Sequence, residues 1–226
     1  MKTIIDSVFD INTFHPKIHR FRSLPKNNPF APYFDVVFFQ DNIGLDLITE
    51  LLEIVKQKET EGLFDNEQWT HYNVFMWDEP VIKKIKEGIK NSLQELNQAL
   101  LINDDVSPHI NGWIYPQKKN TQLRKHNHAV HQNSYISGTV CLTTNDVHTH
   151  YEIPYVSDQV GTFPTKSVAG SLTLFPSCIS HYTERLEENK RYVLAFDIVT
   201  NQGMNTFREE VSHLNPEDPL NRAVVL

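Results

Sequence analysis

Three histidines fall within six positions in KHNHAVHQNSYISG, residues 125 to 138: His126, His128 and His131. Neutral imidazole is a ready ligand for divalent transition metals. Two residues at i and i+2 on an extended chain point to the same side, so His126 and His128 suit neighbouring positions on one ion. An isolated H-x-H is a weak signal, since a pair of surface histidines explains most of them. His131 leaves a choice open, because a small backbone shift would exchange it for His128. A further ligand has to come from a distant segment. AGSLTLFPSCISH, residues 169 to 181, offers His181 where a new strand opens after Pro176 ends the previous one; the plainer reading is a hydrogen-bonded histidine at a strand end. Arg191 follows ten residues later in RYVLAFDI, an otherwise apolar run. An arginine aimed into an interior is unfavourable unless it meets an anion. RLEENK between them has the composition of a hairpin connection, which predicts that Arg191 returns beside the His181 strand and faces the same interior.

Other patterns carry less. His148, His150 and Glu152 in DVHTHYEIPY form an H-x-H-x-E set, for which substrate contact or surface polarity is a plainer explanation than metal binding. Asn111, Trp113 and Tyr115 alternate in INGWIYP and either line a pocket or belong to a packed, half-buried strand. The spacing of Ser177, Cys141 and Cys178 supports no nucleophile and base pair, and neither a Gly-rich phosphate loop nor a C-x-x-C is present.

These residues need a scaffold, and from Ser107 onward the chain reads as short β-rich runs separated by turns: HINGWIYP, SYISGTVCLTT, HYEIPY, SLTLFPS, HYTERL and RYVLAFDIVT. Ahead of them NIGLDLITELLEIVKQKE sets Leu45, Ile48, Leu51, Leu52 and Val55 at helical spacing. A second stripe, from about Pro80 to Leu101, has Ile82, Ile85, Ile89, Leu93, Leu96 and Leu100. YFDVVFFQ reads as a strand, and residues 1 to 32, broken by LPKNNPFAP, as a wrapping arm. Two helices followed by many strands predict an α+β domain in which the helices brace one sheet of a β-sandwich or barrel. The expected division is arm and strand over 1–42, supporting helices over 43–106, a β core over 107–200 and an irregular tail over 201–226.

The bulk composition narrows the class. The 226 residues, 39% hydrophobic and 11% aromatic, suffice for one domain with a sizeable core. A net charge of −7 argues against a large nucleic-acid surface. The local basic cluster Lys118, Lys119, Arg124 and Lys125 reads as a solvated hairpin, or as a guide for an anionic substrate or co-substrate. No apolar run approaches membrane-spanning length, and MKTIIDSVFDINTF meets acid too early for a secretory signal. Two cysteines in apolar segments suit buried free thiols, so the expectation is a cytoplasmic protein in a reducing compartment.

In order, H-x-H, SYISG, GSLTLFPS-x-x-x-like spacing to His181, Arg191 ten residues on and AFDI resemble the iron(II)- and 2-oxoglutarate-dependent oxygenases, over roughly residues 107 to 199. More narrowly the run resembles their prolyl-hydroxylase-like branch. The resemblance implies a double-stranded β-helix, a jelly-roll or cupin-like barrel, with flanking N-terminal helices. It implies Fe(II) held by His126, His128 and His181, with 2-oxoglutarate gripped by Arg191. The implied reaction is hydroxylation of an amino-acid side chain, prolyl-like, or of a small molecule, with release of succinate and carbon dioxide. The departure is His128, which stands where the family has a carboxylate. Three neutral ligands leave the ion's charge uncompensated and must be deprotonated to bind, which predicts weaker iron retention and a sharper loss on acidification. Asp146 or Glu152 could complete the shell instead. Two rival readings remain: a cupin-like metalloprotein that does not use 2-oxoglutarate, and a non-catalytic binding protein with a degenerate site.

Overall fold

Apolar residues at three- and four-residue intervals build two helices, α1 (Leu45–Thr60) and α2 (Pro80–Ala99). Ile48, Leu51 and Val55 of α1 and Ile82, Ile85, Ile89, Leu93 and Leu96 of α2 are buried in one cluster, as their spacing predicts. The stripe fails at one end, where Leu45 in the first turn is 63% exposed. Pro80 opens α2 at its first position, where a missing N–H leaves no hydrogen bond unmade. The structure is a computed structural model, and it describes residues 9–12, 17–23, 35–64, 71–102, 107–128, 134–153, 161–187 and 189–226.

The remaining elements are mainly strands: β1 (Phe9–Asn12), β2 (Ile18–Ser23), β3 (Asp35–Asn42), β4 (His109–Gln117), β5 (Ser134–Cys141), β6 (His148–Ile153), β7 (Gly161–Lys166), β8 (Ser171–Pro176), β9 (His181–Thr183), β10 (Arg191–Val199) and β11 (Val224–Val225). Eight form one sheet in the order β1-β2-β3-β8-β5-β10-β4-β11, and three form a second in the order β7-β6-β9. Among the described residues every strand pairing is antiparallel. The architecture is the expected α+β double-stranded β-helix, with α1 and α2 packed against one face of the larger sheet.

The period-two alternation of a strand separates the two jobs of this sheet. Along β10, Tyr192, Leu194, Phe196 and Ile198 turn to the helices. Arg191, Val193 and Ala195 turn the other way and line a cavity. A small aromatic cluster containing Phe21, Phe38, Tyr151 and Phe175 closes part of the space on that second side.

Phe196 shows how tightly the helix side is fitted. Its cross-strand partners are glycines on both sides, Gly112 of β4 and Gly138 of β5. A Cβ at Gly138 would lie 2.3 Å from the Phe196 ring and 2.9 Å from Leu174. Both neighbours are fully buried and have nowhere to retreat. Gly138→Ala is therefore expected to destabilise the protein by about 2–3 kcal/mol. For a chain of this size that is a fall in Tm of roughly 5–10 °C, readable by thermal unfolding.

Two expectations are corrected. The N-terminal region is not only a wrapping arm, because β1 and β2 extend the larger sheet beyond β3. The tail is not irregular either: α3 (Asn201–Glu210) begins at Thr200, whose hydroxyl accepts from Gly203 N–H at 3.0 Å. Met204 and Phe207, one turn apart, bury α3 against Val199 and Leu220, and β11 then joins the edge of β4. Few apolar residues are needed for so short a helix, which is why its pattern is faint in the sequence.

Candidate metal centre

His126 and His181 meet through their backbones before their side chains are considered. His126 N–H donates to the His181 carbonyl at 3.1 Å and His181 N–H donates to the His126 carbonyl at 2.8 Å, an isolated antiparallel bridge. Pro176 ends β8, and the turn after it carries the chain to β9, which His181 opens. In that turn the Ser177 carbonyl accepts from His128 N–H at 2.9 Å. Two backbone anchors thus bring His126, His128 and His181 together, with one ligand atom from each lying within 4.8 Å of the others.

The tautomers follow from the partners. Nδ1 of His126 donates to the Arg124 carbonyl at 2.8 Å, and Nδ1 of His181 donates to the Ile179 carbonyl at 3.2 Å. Nδ1 of His128 lies 2.6 Å from Asp197 Oδ1 and donates to that carboxylate. Carbonyl and carboxylate oxygens only accept, so each Nδ1 carries a proton, and in the neutral ring, the form that can ligate a metal, each Nε2 keeps a lone pair. The Nε2 atoms of His126 and His128 face one another at 3.3 Å. Two lone pairs at that distance repel unless a cation lies between them. The separation is the one expected of two adjacent nitrogens bound at roughly 2.1 Å to a single ion. The donor set fits a divalent transition metal with open positions.

The surroundings disfavour the charged form of His181 and His126. His181 packs against Phe175 and Tyr151 with ring centroids 5.0 and 5.6 Å away. Burial, and then the neighbouring His126 and His128, push its pKa from 6.5 down to about 3. Burial lowers His126 as well. The stability consequence has a definite sign. Below the unfolded value of 6.5 the unfolded chain takes up a proton that folded His181 refuses, so metal-free stability falls as pH drops from there towards about 3. This one group contributes a slope of up to about 1.4 kcal/mol per pH unit in that window and nothing above it. Urea unfolding of the metal-free protein at pH 7 and pH 5 checks it: the midpoint is lower at pH 5, and His181→Asn shrinks the difference.

Arg191 is 3% exposed, and no carboxylate among the described residues forms an ion pair with it. Its guanidinium donates instead to neutral oxygens: Ser167 Oγ at 3.0 Å, Gln117 Oε1 at 3.3 Å and Thr149 Oγ1 at 3.2 Å. Such a buried cation retains a strong preference for an anion. It lines the same cavity as the three histidines, with Trp113 and Tyr115 also on the wall. The register fixes the spacing, because Thr149 is paired with Thr183 and Tyr151 with His181. The guanidinium is therefore anchored one two-residue repeat, roughly 6–7 Å, along the strands from His181. One corrected detail concerns how it arrives. Arg191 is not beside the His181 strand, since β9 pairs with β6 while β10 lies between β4 and β5. The two strands lie in different sheets, and Arg191 lines the cavity from β10.

Asp197 is the residue that the sequence reading missed. It stands six residues after Arg191, on the same face of β10, and also accepts from Ser137 Oγ at 2.5 Å. The acids considered earlier do not reach the cluster: Asp146 pairs with Lys166 and Glu152 with Lys125. His148 and His150 turn to the outer face of the smaller sheet, where Glu184 holds them at 3.2 and 2.9 Å. His131 lies outside the described residues. Trp113 and Tyr115 line the cavity whereas Asn111, buried nearby, does not. Lys118, Lys119, Arg124 and Lys125 are exposed. Cys141 is buried as expected, while Cys178 is exposed.

No family model and no curated protein matches the sequence. Solved structures do match. A prolyl-4-hydroxylase from Pseudomonas putida aligns over 73% of this chain and 88% of its own, at a TM-score of 0.57 and 14% identity. A prolyl hydroxylase from Trichoplax adhaerens, in complex with a peptide fragment of the hypoxia inducible factor oxygen degradation domain, covers 74% of this chain and 84% of its own (TM-score 0.53, 16% identity). The non-heme α-ketoglutarate-dependent carbocyclase SnoK from nogalamycin biosynthesis covers 84% and 91% (TM-score 0.51, 10% identity). At these identities the likeness is one of fold: the chain is built on the double-stranded β-helix that these oxygenases share.

Proposed function

We propose that the protein is a non-haem Fe(II)- and 2-oxoglutarate-dependent oxygenase that hydroxylates its substrate. The observation that carries this reading is the pairing of two features in one cavity: three converging imidazoles, and a buried guanidinium that no anion of the described chain satisfies. His126, His128 and His181 would hold the metal. Arg191 would grip the far carboxylate of 2-oxoglutarate with its planar fork, while Thr149, already 3.2 Å from the guanidinium, keeps that fork in place. The bound iron and 2-oxoglutarate supply the oxidative chemistry, with succinate and carbon dioxide as co-products. The chain's own residues orient these groups and exclude water; no separate acid or base is needed.

For substrate we infer an amino-acid side chain, prolyl-like and free or within a peptide, or else a small molecule. The fold likeness to two prolyl hydroxylases supports the first, and that to a carbocyclase supports the second. We also infer a cytoplasmic setting, which the two free thiols suit. No described helix is long and apolar enough to cross a membrane.

Titration of 2-oxoglutarate into Mn(II)-loaded protein tests the assignment. Metal-dependent binding is expected, followed by succinate release from the Fe(II) form with a substrate from a panel of peptides, amino acids and small molecules. A protein that binds Mn(II) but ignores 2-oxoglutarate is the cupin-like alternative. One that binds neither is a degenerate binding module.

A further inference from the structure

We propose that Asp197 supplies, from behind His128, the negative charge that a carboxylate ligand would bring to the ion directly. The inference rests on the metal reading of the histidine cluster. It starts from an apparent deficit, three neutral ligands around a divalent cation, and from what stands behind the residue that creates it. His128 Nδ1 and Asp197 Oδ1 are 2.6 Å apart, with side-chain exposures of 8% and 18%. Within that shielded space the charge acts at short range with little screening. Among the described residues no Lys or Arg pairs with Asp197, so its charge is not neutralised elsewhere.

The rest of the network is built around the same contact. Asp197 and Ser137 are cross-strand partners, and Ser137 Oγ donates to Oδ1 at 2.5 Å. Ser137 is linked in turn to Ser177 Oγ at 2.9 Å, and the Ser177 carbonyl holds the His128 amide. Residue 128 is therefore fixed at its backbone and at its ring by one connected set of groups. An imidazole that donates from Nδ1 to a carboxylate presents a more basic Nε2 to a metal. Asp197 is thus a positioning residue with an electrostatic role, acting on the ion through His128 and not touching it.

The test moves the charge. Mn(II) affinity is measured by calorimetry for wild type, Asp197→Asn, His128→Asp and the double variant, alongside the Tm of each metal-free protein. Asparagine keeps the shape of Asp197 and still accepts from His128 and Ser137. Asp197→Asn is expected to weaken Mn(II) binding about 10–100-fold with little change in metal-free Tm. Once His128→Asp has placed a carboxylate on the ion itself, the same change at 197 should alter affinity by less than roughly threefold. Two results would overturn the proposal: an Asp197→Asn protein that binds Mn(II) like wild type, or an equal loss in both backgrounds, which marks a packing role. Wild type that binds no Mn(II) removes the metal reading and this inference together.

Discussion

Arg191→Met is expected to weaken 2-oxoglutarate binding by about two to three orders of magnitude, or roughly 3–4 kcal/mol, while Mn(II) affinity stays near the wild-type value. The size follows from the setting. The guanidinium is already desolvated and already held by Ser167, Gln117 and Thr149, so an arriving carboxylate gains charge-assisted hydrogen bonds without ordering a flexible side chain. Methionine fills much of the volume and offers no donor. Arg191→Lys keeps the charge and loses the fork, so an intermediate loss of about tenfold is expected. The unliganded variant has a further signature. Removing a buried cation that lacks a counter-ion should leave the stability of the empty protein within about 1 kcal/mol of wild type. Calorimetric titration of both ligands and chemical denaturation read these quantities. A loss of metal binding equal to the loss of 2-oxoglutarate binding would mean that the substitution disturbs the whole cavity.

His181→Ala is the complementary experiment, expected to lower Mn(II) affinity by about two to three orders of magnitude. Structural zinc sites with four ligands bind with roughly 10–16 kcal/mol, so one ligand carries on the order of 2.5–4 kcal/mol. His181 is the most enclosed of the three, with Tyr151 and Phe175 against its ring. On the proposed assignment its loss removes a ligand, and it also opens a hole that water can enter. 2-Oxoglutarate binding should fall with the metal, because on the proposed assignment the co-substrate engages both the ion and Arg191. That contrasts with Arg191→Met, where the two affinities separate. Equilibrium dialysis with Mn(II) measures the first effect directly. Unchanged metal content would remove His181 from the ligand set.

The sequence was most legible where residue type and period reinforce each other. The leucines and isoleucines of α1 and α2 announce their buried faces, and Leu45, in the first turn of α1, is the exposed exception. His181 and Arg191 stood out because each is unfavourable in an apolar run unless something compensates. Asp197 was also within reach of the period-two count, since 191, 193, 195 and 197 share a face. What that count does not contain is lateral order. Whether the 197 end of β10 lies over His128 depends on β10 taking its place beside β5, a contact between segments some sixty residues apart, as with Ser137. The same gap explains the misplaced hairpin, because a short polar connection looks alike whether it turns within a sheet or crosses to another. His148 and His150 posed the inverse problem: their alternation was clear, and only the burial of Thr149 and Tyr151 decides which side is the outside.

The reciprocal backbone pair between His126 and His181 gives the centre a mechanical character. Two of its donors are tied by a closed ring of amide hydrogen bonds, so neither can drift without breaking the ring for both. Local breathing should therefore release them as one event. In hydrogen exchange the amides of residues 126 and 181 should lose protection together, making the opening of the site visible from the main chain alone, without any spectroscopic metal.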